Sequence, residues 1–397
     1  MKKSGPAKNN SVPVVVYLLS AVSFFNDIAS EMLYPVMPIF ITQILGAPVF
    51  VVGIIDGIAE GASAFFKSVF GRLSDRLQRR KIFVVSGYSA SAFSKIIIAV
   101  SSTWPMVFLG RFTDRLGKGI RTGARDAMLL ETTDRSNKGL IFGIHRSIDS
   151  AGAVVGPLIT LILLKSFSEN IRTILMIAAI PSFIGLLFFF FIKEAKKNVK
   201  TAKKSFSFDF SSIPNNFKVF LVVTALFSLG NSSDSFLILQ SKSLGLSVSS
   251  VVLVYIVYNL VYTLLSTPAG ILADRLGAKN VFPAGLFIYG IVYLGFAFNR
   301  NVQYIWILFA AYGAYIAFTD GVSKALIGNI IKKEEAGTAY GLSQTVTSVG
   351  TLFASVIAGF IWSALGAKTT FIFASACTFL SLIVYIFFLK KDVFHQG

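Results

Sequence analysis

Twelve apolar runs, nearly all of twenty residues or more, govern what this 397-residue chain can fold into. They cover roughly 14–44, 48–70, 82–101, 104–129, 139–164, 171–192, 219–242, 247–269, 281–299, 303–331, 338–364 and 369–389. A helix needs about 20 apolar residues to cross a hydrocarbon core of about 30 Å. Inside lipid only helices and closed barrels satisfy their backbone groups. The runs are too long, and alternate too weakly, for barrel strands. The expected fold is therefore all-α, with twelve transmembrane helices in the lipid bilayer. Only 14% of the residues are charged, against about a quarter in soluble domains.

Basic residues concentrate in every second loop. Lys2, Lys3 and Lys8 precede the first run, and Arg72, Arg76, Arg79, Arg80 and Lys81 follow the second. Arg135 and Lys138 come next, then seven lysines within 193–218, then Arg275, Lys279, Lys332, Lys333, Lys390 and Lys391. The intervening loops hold only Lys165, Arg172, Lys242, Arg300 and Lys368. Cytoplasmic loops carry such an excess. Both termini are expected in the cytoplasm, in a multi-pass protein of the cytoplasmic (inner) membrane. The net charge of +18 would suggest nucleic acid in a soluble protein; here topology accounts for it, and no nucleic-acid partner is expected. The first apolar run is too long for a signal peptide and lacks a small-residue cleavage site, so it reads as a retained helix. With one cysteine, Cys377, and two histidines, no disulfide, thiolate site or multi-histidine metal site can form. No cofactor is expected.

The chain also repeats itself. Gly71-Arg72-Leu73-Ser74-Asp75-Arg76-Leu77 recurs as Gly270-Ile271-Leu272-Ala273-Asp274-Arg275-Leu276. Gly139, Gly143 and Gly152 of the fifth run recur as Gly337, Gly341 and Gly350 of the eleventh. Arg121 and Arg125 fall opposite Asp320 and Lys324. A lysine- and serine-rich stretch, 193–218, reads as a basic cytoplasmic linker between two six-helix bundles, 1–192 and 219–397. Paired half-structures are what a transporter needs to rock about a midplane site.

These motifs carry a family resemblance over essentially the whole chain. The loop after the second run is similar to the signature Gly-x-x-x-Asp-Arg-x-Gly-Arg-Arg/Lys of the major facilitator superfamily, with Gln78 where glycine is usual. The resemblance implies two pseudo-symmetric six-helix bundles and secondary transport. It implies a conformational latch at Gly71, Asp75 and Arg76, with Asp274 and Arg275 as the second copy. Gly143, Gly152, Gly156 and Pro157 resemble the family's antiporter signature in the fifth helix, found mostly in exporters, and imply a gate. The run Gly110–Asp126 resembles its fourth-helix signature with altered spacing, leaving open whether Arg111 or Arg115 fills the family role. A nucleotide loop at Gly117-Lys118 is rejected, because Gly119 follows where Ser or Thr is required.

Charges within the apolar runs are the remaining signal. Unpaired charges at mid-bilayer cost roughly 2.5–3.5 kcal/mol on insertion scales. The intramembrane cations and anions here are equally numerous, so internal pairing facing a polar cavity is expected. Asp27 and Glu31 lie at i, i+4 on one face of the first helix, with Tyr34 one turn on, and are the expected proton carriers. Pro35 and Pro38 are expected to bend that helix. Family members line their cavity with helices 1, 4, 7 and 10. By that resemblance the candidates for the substrate cavity are Asp27, Glu31, Arg121, Arg125, Asn231, Asp234, Asp320 and Lys324, with Tyr34 on the same face of the first helix and Asn259 also expected to line it. Asp56, Glu60, Arg111, Arg115, Arg146 and Asp149 read as an ion-pair network, although Asp56 and Glu60 could instead be gate residues. His145 is expected to pair with a carboxylate, Asp149 being one turn away. The stripe Tyr255, Tyr258 and Tyr262 reads first as packing, with a cavity wall as the alternative.

The expected function is secondary active transport, not catalysis. Proton-coupled export of a small organic solute by a monomer is the first reading. Proton-coupled import, or facilitated movement, of an anionic metabolite gripped by the fourth-helix arginines is the second.

Overall fold

The computed structural model describes residues 12–77, 79–132, 138–192, 214–331 and 335–389. Among the described residues, twelve helical spans cross the molecule. The first, α1 (Val14–Leu33), breaks at residues 34–36 beside Pro35 and resumes in short turns from Met37 to Ile44. The others are α2 (Val49–Leu77), α3 (Arg80–Ala99), α4 (Trp104–Glu131), α5 (Lys138–Ser166) and α6 (Ile171–Phe191). In the second half come α7 (Asn215–Ser243), α8 (Val248–Leu276), α9 (Ala278–Phe298), α10 (Val302–Ile330), α11 (Ala336–Leu365) and α12 (Ala367–Leu389). Most of the basic linker, residues 193–213, lies outside the described residues.

Eleven of these spans are apolar enough to qualify on composition alone. The exception is α4, with Arg111, Asp114, Arg115, Lys118, Arg121, Arg125 and Asp126 along its length. Charges survive in a membrane helix where protein, not lipid, surrounds them. Two glycines make this burial possible. A Cβ on Gly117 of α4 would lie 2.5 Å from the Gly87 carbonyl oxygen of α3, and one on Gly87 would lie 2.6 Å from that of Gly117.

Each half packs mainly on itself. One apolar cluster is confined to the first half, around Val16, Leu19, Tyr88 and Leu129. Another belongs to the second half, around Phe217, Phe282, Leu326 and Tyr385. Both lie toward the side holding residue 12 and the loops after α2, α8 and α10, called here the terminal side. The third and largest cluster joins the halves, bringing Met37, Ile39 and Phe40 together with Phe236, Leu239 and Tyr255. It lies toward the opposite, far side.

The seam between the halves is therefore closed at one end and open at the other. On the far side α2 crosses α11, where Phe50 stacks on Phe360 at 5.6 Å and its N–H donates to Ser363 Oγ at 3.1 Å. A Cβ on Gly57 would meet the Leu352 carbonyl oxygen at 2.7 Å. On the terminal side a Cβ on Gly71, Gly143, Gly270 or Gly341 would meet no atom within 4 Å beyond its own helix among the described residues. Glycines repeated by the internal duplication thus border open space at that end.

A strained turn adds to the far-side closure. Ser168 and Glu169 occupy left-handed backbone, φ 51° and 59°, which non-glycine residues seldom adopt. Glu169 Oε1 accepts the N–H of Ser249 at 3.1 Å, capping α8 across the seam. Partial burial pushes this carboxyl up, but the Ser249 and Val248 donors outweigh it and hold it below its ordinary 4.5. The ionised form is the one that binds. This contact is therefore fully present above the ordinary value and is lost as pH falls through the lowered one. Spin labels at exposed Ser102 and Arg300 should report this loss as a widening of the far-side distance in acid below the ordinary value. Glu169→Gln should remove the acid step.

Candidate functional site: a charged cavity between the halves

A cavity of about 750 Å³ lies between the halves and is bordered by residues of both. Its floor is a break in α7. The first half of that helix ends at Gly230, Asn231–Asp234 leave the helix, and it resumes at Ser235. Asn231, Ser232, Ser233 and Asp234 all border the cavity.

Asp56 of α2 anchors this floor. Its Oδ1 accepts Arg111 Nη2 at 3.0 Å, and its Oδ2 accepts the hydroxyls of Ser233 at 2.7 Å and Ser235 at 2.6 Å. One carboxylate thus binds a cation of its own half and the broken helix of the other. It also stands at the N-terminus of the resumed helix, where a negative charge is favoured. Ser355 of α11 closes the same corner by accepting the Ser233 N–H at 3.1 Å.

The tyrosine stripe of α8 does more than pack. Tyr255 donates to Glu31 Oε2 on α1 at 2.8 Å. Tyr258 donates to Asp234 Oδ2 at 3.5 Å, and Tyr262 donates to Asp320 Oδ2 on α10 at 3.2 Å. One helical stripe therefore meets three carboxylates from three other helices. Asp234 Oδ1 also accepts Tyr312 at 2.5 Å.

Of the residues expected to line the cavity, Tyr34, Asn231, Asp234, Asp320 and Lys324 do so. Asp27, Glu31, Arg121, Arg125 and Asn259 do not border it. Arg121 is buried, donates to Ser91 Oγ at 2.5 Å and lies 4.4 Å over the Tyr88 ring. Arg125 pairs with Asp126 at 2.9 Å and donates to Ser23 at 3.0 Å. Asn259 donates to the Tyr255 carbonyl at 3.0 Å. Four residues read as network members line the cavity instead: Asp56, Glu60, Arg111 and Arg115. They are also paired, Arg115 standing 3.9 Å from Glu60.

Other expected residues lie elsewhere. Asp27 and Glu31 face α5, where Cβ atoms on Gly152 and Gly156 would meet the Phe24 and Ile28 carbonyl oxygens at 2.6 Å. These glycines serve close packing within the first half, and α5 runs unbroken through Pro157. Asp75 lies 3.6 Å from Arg80 of its own half, and Arg80 reaches Glu131 at 2.7 Å. Arg76, Asp274 and Arg275 are exposed. His145 meets Ser20 Oγ at 3.1 Å, whereas Asp149 is matched with Arg146 at 3.8 Å. The expected histidine–carboxylate pair is thus replaced by a hydroxyl contact, because α5 lies against α1 there.

Sequence reading missed Ser233, Ser235, Tyr312 and Tyr315. The signal for the first two was visible: Asn231-Ser232-Ser233-Asp234-Ser235 is a polar run in the middle of an apolar block. The α10 tyrosines carry no such mark.

Comparison with known proteins places these features in context. The chain matches the Major Facilitator Superfamily over residues 19–239 and 219–396. An uncharacterized MFS-type transporter of Methanocaldococcus jannaschii is 35% identical over 379 residues, 94% of each chain. The multi-drug resistance efflux pump PmrA of Streptococcus pneumoniae is 33% identical over 123 residues, 31% of each chain. Among solved structures, a mutant of the nucleoside transporter NupG aligns with a TM-score of 0.78 at 13% identity, covering 94% of this chain and 99% of that one.

Proposed function

Since the chain belongs to the major facilitator superfamily and is a multi-pass membrane transporter, we propose that it exports a small organic solute in exchange for protons by alternating access. In this reading the terminal side is cytoplasmic, the membrane is the cytoplasmic membrane, and the open end of the seam faces inward. One chain supplies both halves and the whole cavity, so the monomer is the transport unit.

The observation that carries the coupling is the α1 pair. Glu31 receives its hydrogen bond from Tyr255 of the other half, while Asp27 has no hydrogen-bond or ion-pair partner among the described residues. Ionised, Glu31 accepts a charge-assisted bond that ties α1 to α8; protonated, it loses the charge that strengthens the tie. A proton taken up on one side and released on the other thus acts on the seam that rocking must open. The open terminal-side glycines supply the complementary surfaces for closure there. Export is supported by the partial match to an efflux pump. Import of an anion rests on the fourth-helix arginines; of these Arg111 and Arg115 border the cavity but are paired with Asp56 and Glu60, and Arg121 and Arg125 do not border it.

Everted membrane vesicles with an imposed pH gradient test the reading. A transported solute should dissipate the gradient, and Asp27→Asn and Glu31→Gln should each cut that response about tenfold or more while elution and melting stay near wild type. Full coupling in both variants would assign the proton to other groups. If no solute moves protons and overexpression leaves drug tolerance unchanged, proton-coupled export is overturned.

A further inference from the structure

We propose that the cavity selects organic cations, protonated amines or quaternary ammonium and phosphonium compounds, and that Asp234 is their counter-charge. The inference rests on the transporter reading and adds the substrate class.

Charge balance is the first argument. Every cation bordering the cavity already has a carboxylate: Arg111 has Asp56 at 3.0 Å, Arg115 has Glu60 at 3.9 Å, and Lys324 has Asp320 at 2.9 Å. Asp234 is left with no cation within ion-pair distance among the described residues. Its partners are two tyrosine hydroxyls. A carboxylate offers about four lone-pair directions, so it can accept a ligand as well. Leaving such a charge unmatched is costly in a low-dielectric site, and a cationic ligand removes that cost.

The surroundings give two independent arguments. The first half of α7 ends at Gly230, directing the negative end of its dipole at the break that forms the cavity floor. The positive end of the resumed helix is already matched by Asp56 through Ser233 and Ser235. The walls beside Asp234 are aromatic: Tyr312 and Tyr315 border the cavity with ring centres 5.2 Å apart, Phe227 lies 6.0 Å from Tyr315, and Tyr34 borders the same cavity. Aromatic faces around a carboxylate attract diffuse organic cations.

The test is saturable binding of radiolabelled tetraphenylphosphonium to the purified full chain. Unlabelled benzyltrimethylammonium should displace it, and benzenesulfonate, an anion of similar bulk, should not. Asp234→Asn should weaken binding roughly 10- to 100-fold, with Asp234→Glu within a few-fold of wild type and the Ser102–Arg300 label distance unchanged in both. Absence of saturable binding, equal displacement by benzenesulfonate, or wild-type affinity in Asp234→Asn would each overturn the proposal. Should Asp234→Asn not fold, competition on the wild-type chain decides it. Failure of cation binding alongside solute-driven proton flux would sink only the substrate class, and cation binding without proton flux would sink only the coupling.

Discussion

Asp56→Ala should deplete the folded protein and, in what remains, open the far side. The substitution strands Arg111, a guanidinium 7% exposed, and leaves the Ser233 and Ser235 hydroxyls without their acceptor. Removing one member of a buried pair costs about 3–5 kcal/mol. That is a large share of the roughly 5–15 kcal/mol that holds an ordinary domain. The charge and the tie between halves can be separated. Asp56→Val combined with Arg111→Leu removes both charges and should recover most of the folded yield, since apolar replacement of a buried pair is often neutral. It cannot restore the link to α7. The double variant should therefore elute and melt near wild type, yet show a widened Ser102–Arg300 distance and lost transport. Normal yield and melting in Asp56→Ala would show that Arg111 finds another partner.

Gly57→Val and Gly71→Val, on one helix, should trap opposite states. At Gly57 a Cβ would lie 2.7 Å from the Leu352 carbonyl oxygen and 3.3 Å from Ser355 Cβ. The obstacle is mainly backbone, so α2 and α11 must separate. Overpacking of this kind costs about 1–3 kcal/mol, enough to shift a two-state equilibrium roughly 5- to 150-fold toward an open far side. At Gly71 there is no atom within 4 Å to meet. Valine there should leave the present state intact and obstruct only one that closes the terminal side. Spin-label distances on both faces check the pair. An unshifted Gly57→Val, or a Gly71→Val that still closes its end, would break the link between seam glycines and alternation.

Much of the fold was legible because lipid enforces a simple rule. A spanning helix must be long and apolar, so the runs alone located the spans, and Pro35 marked the break after α1. The strongly charged α4 was legible as a span from the run 104–129, but only packing shows that its charges hide against α3 and α2. The site was harder. Asn231, Asp234, Asp320 and Lys324 stood out as polar residues on cavity helices. Tyr312 and Tyr315 did not, since a tyrosine in an apolar run looks the same whether it packs or lines a cavity.

The sequence by itself determined that this chain is a duplicated helical membrane protein, because length, hydropathy, charge bias and repeated glycines depend only on local order along the chain, and its motifs added the family resemblance that implies transport. Tertiary structure alone decided which charges meet. It gave Asp56 to Arg111 and the broken α7, Glu31 to Tyr255, and left Asp234 among tyrosines with no cation. Helix spacing relates residues a turn apart on one helix; ion pairs between helices depend on rotation and crossing, which only packing sets. The same is true of the twofold glycine pattern: sequence shows the repeat, and only the packed halves show one end closed and the other open.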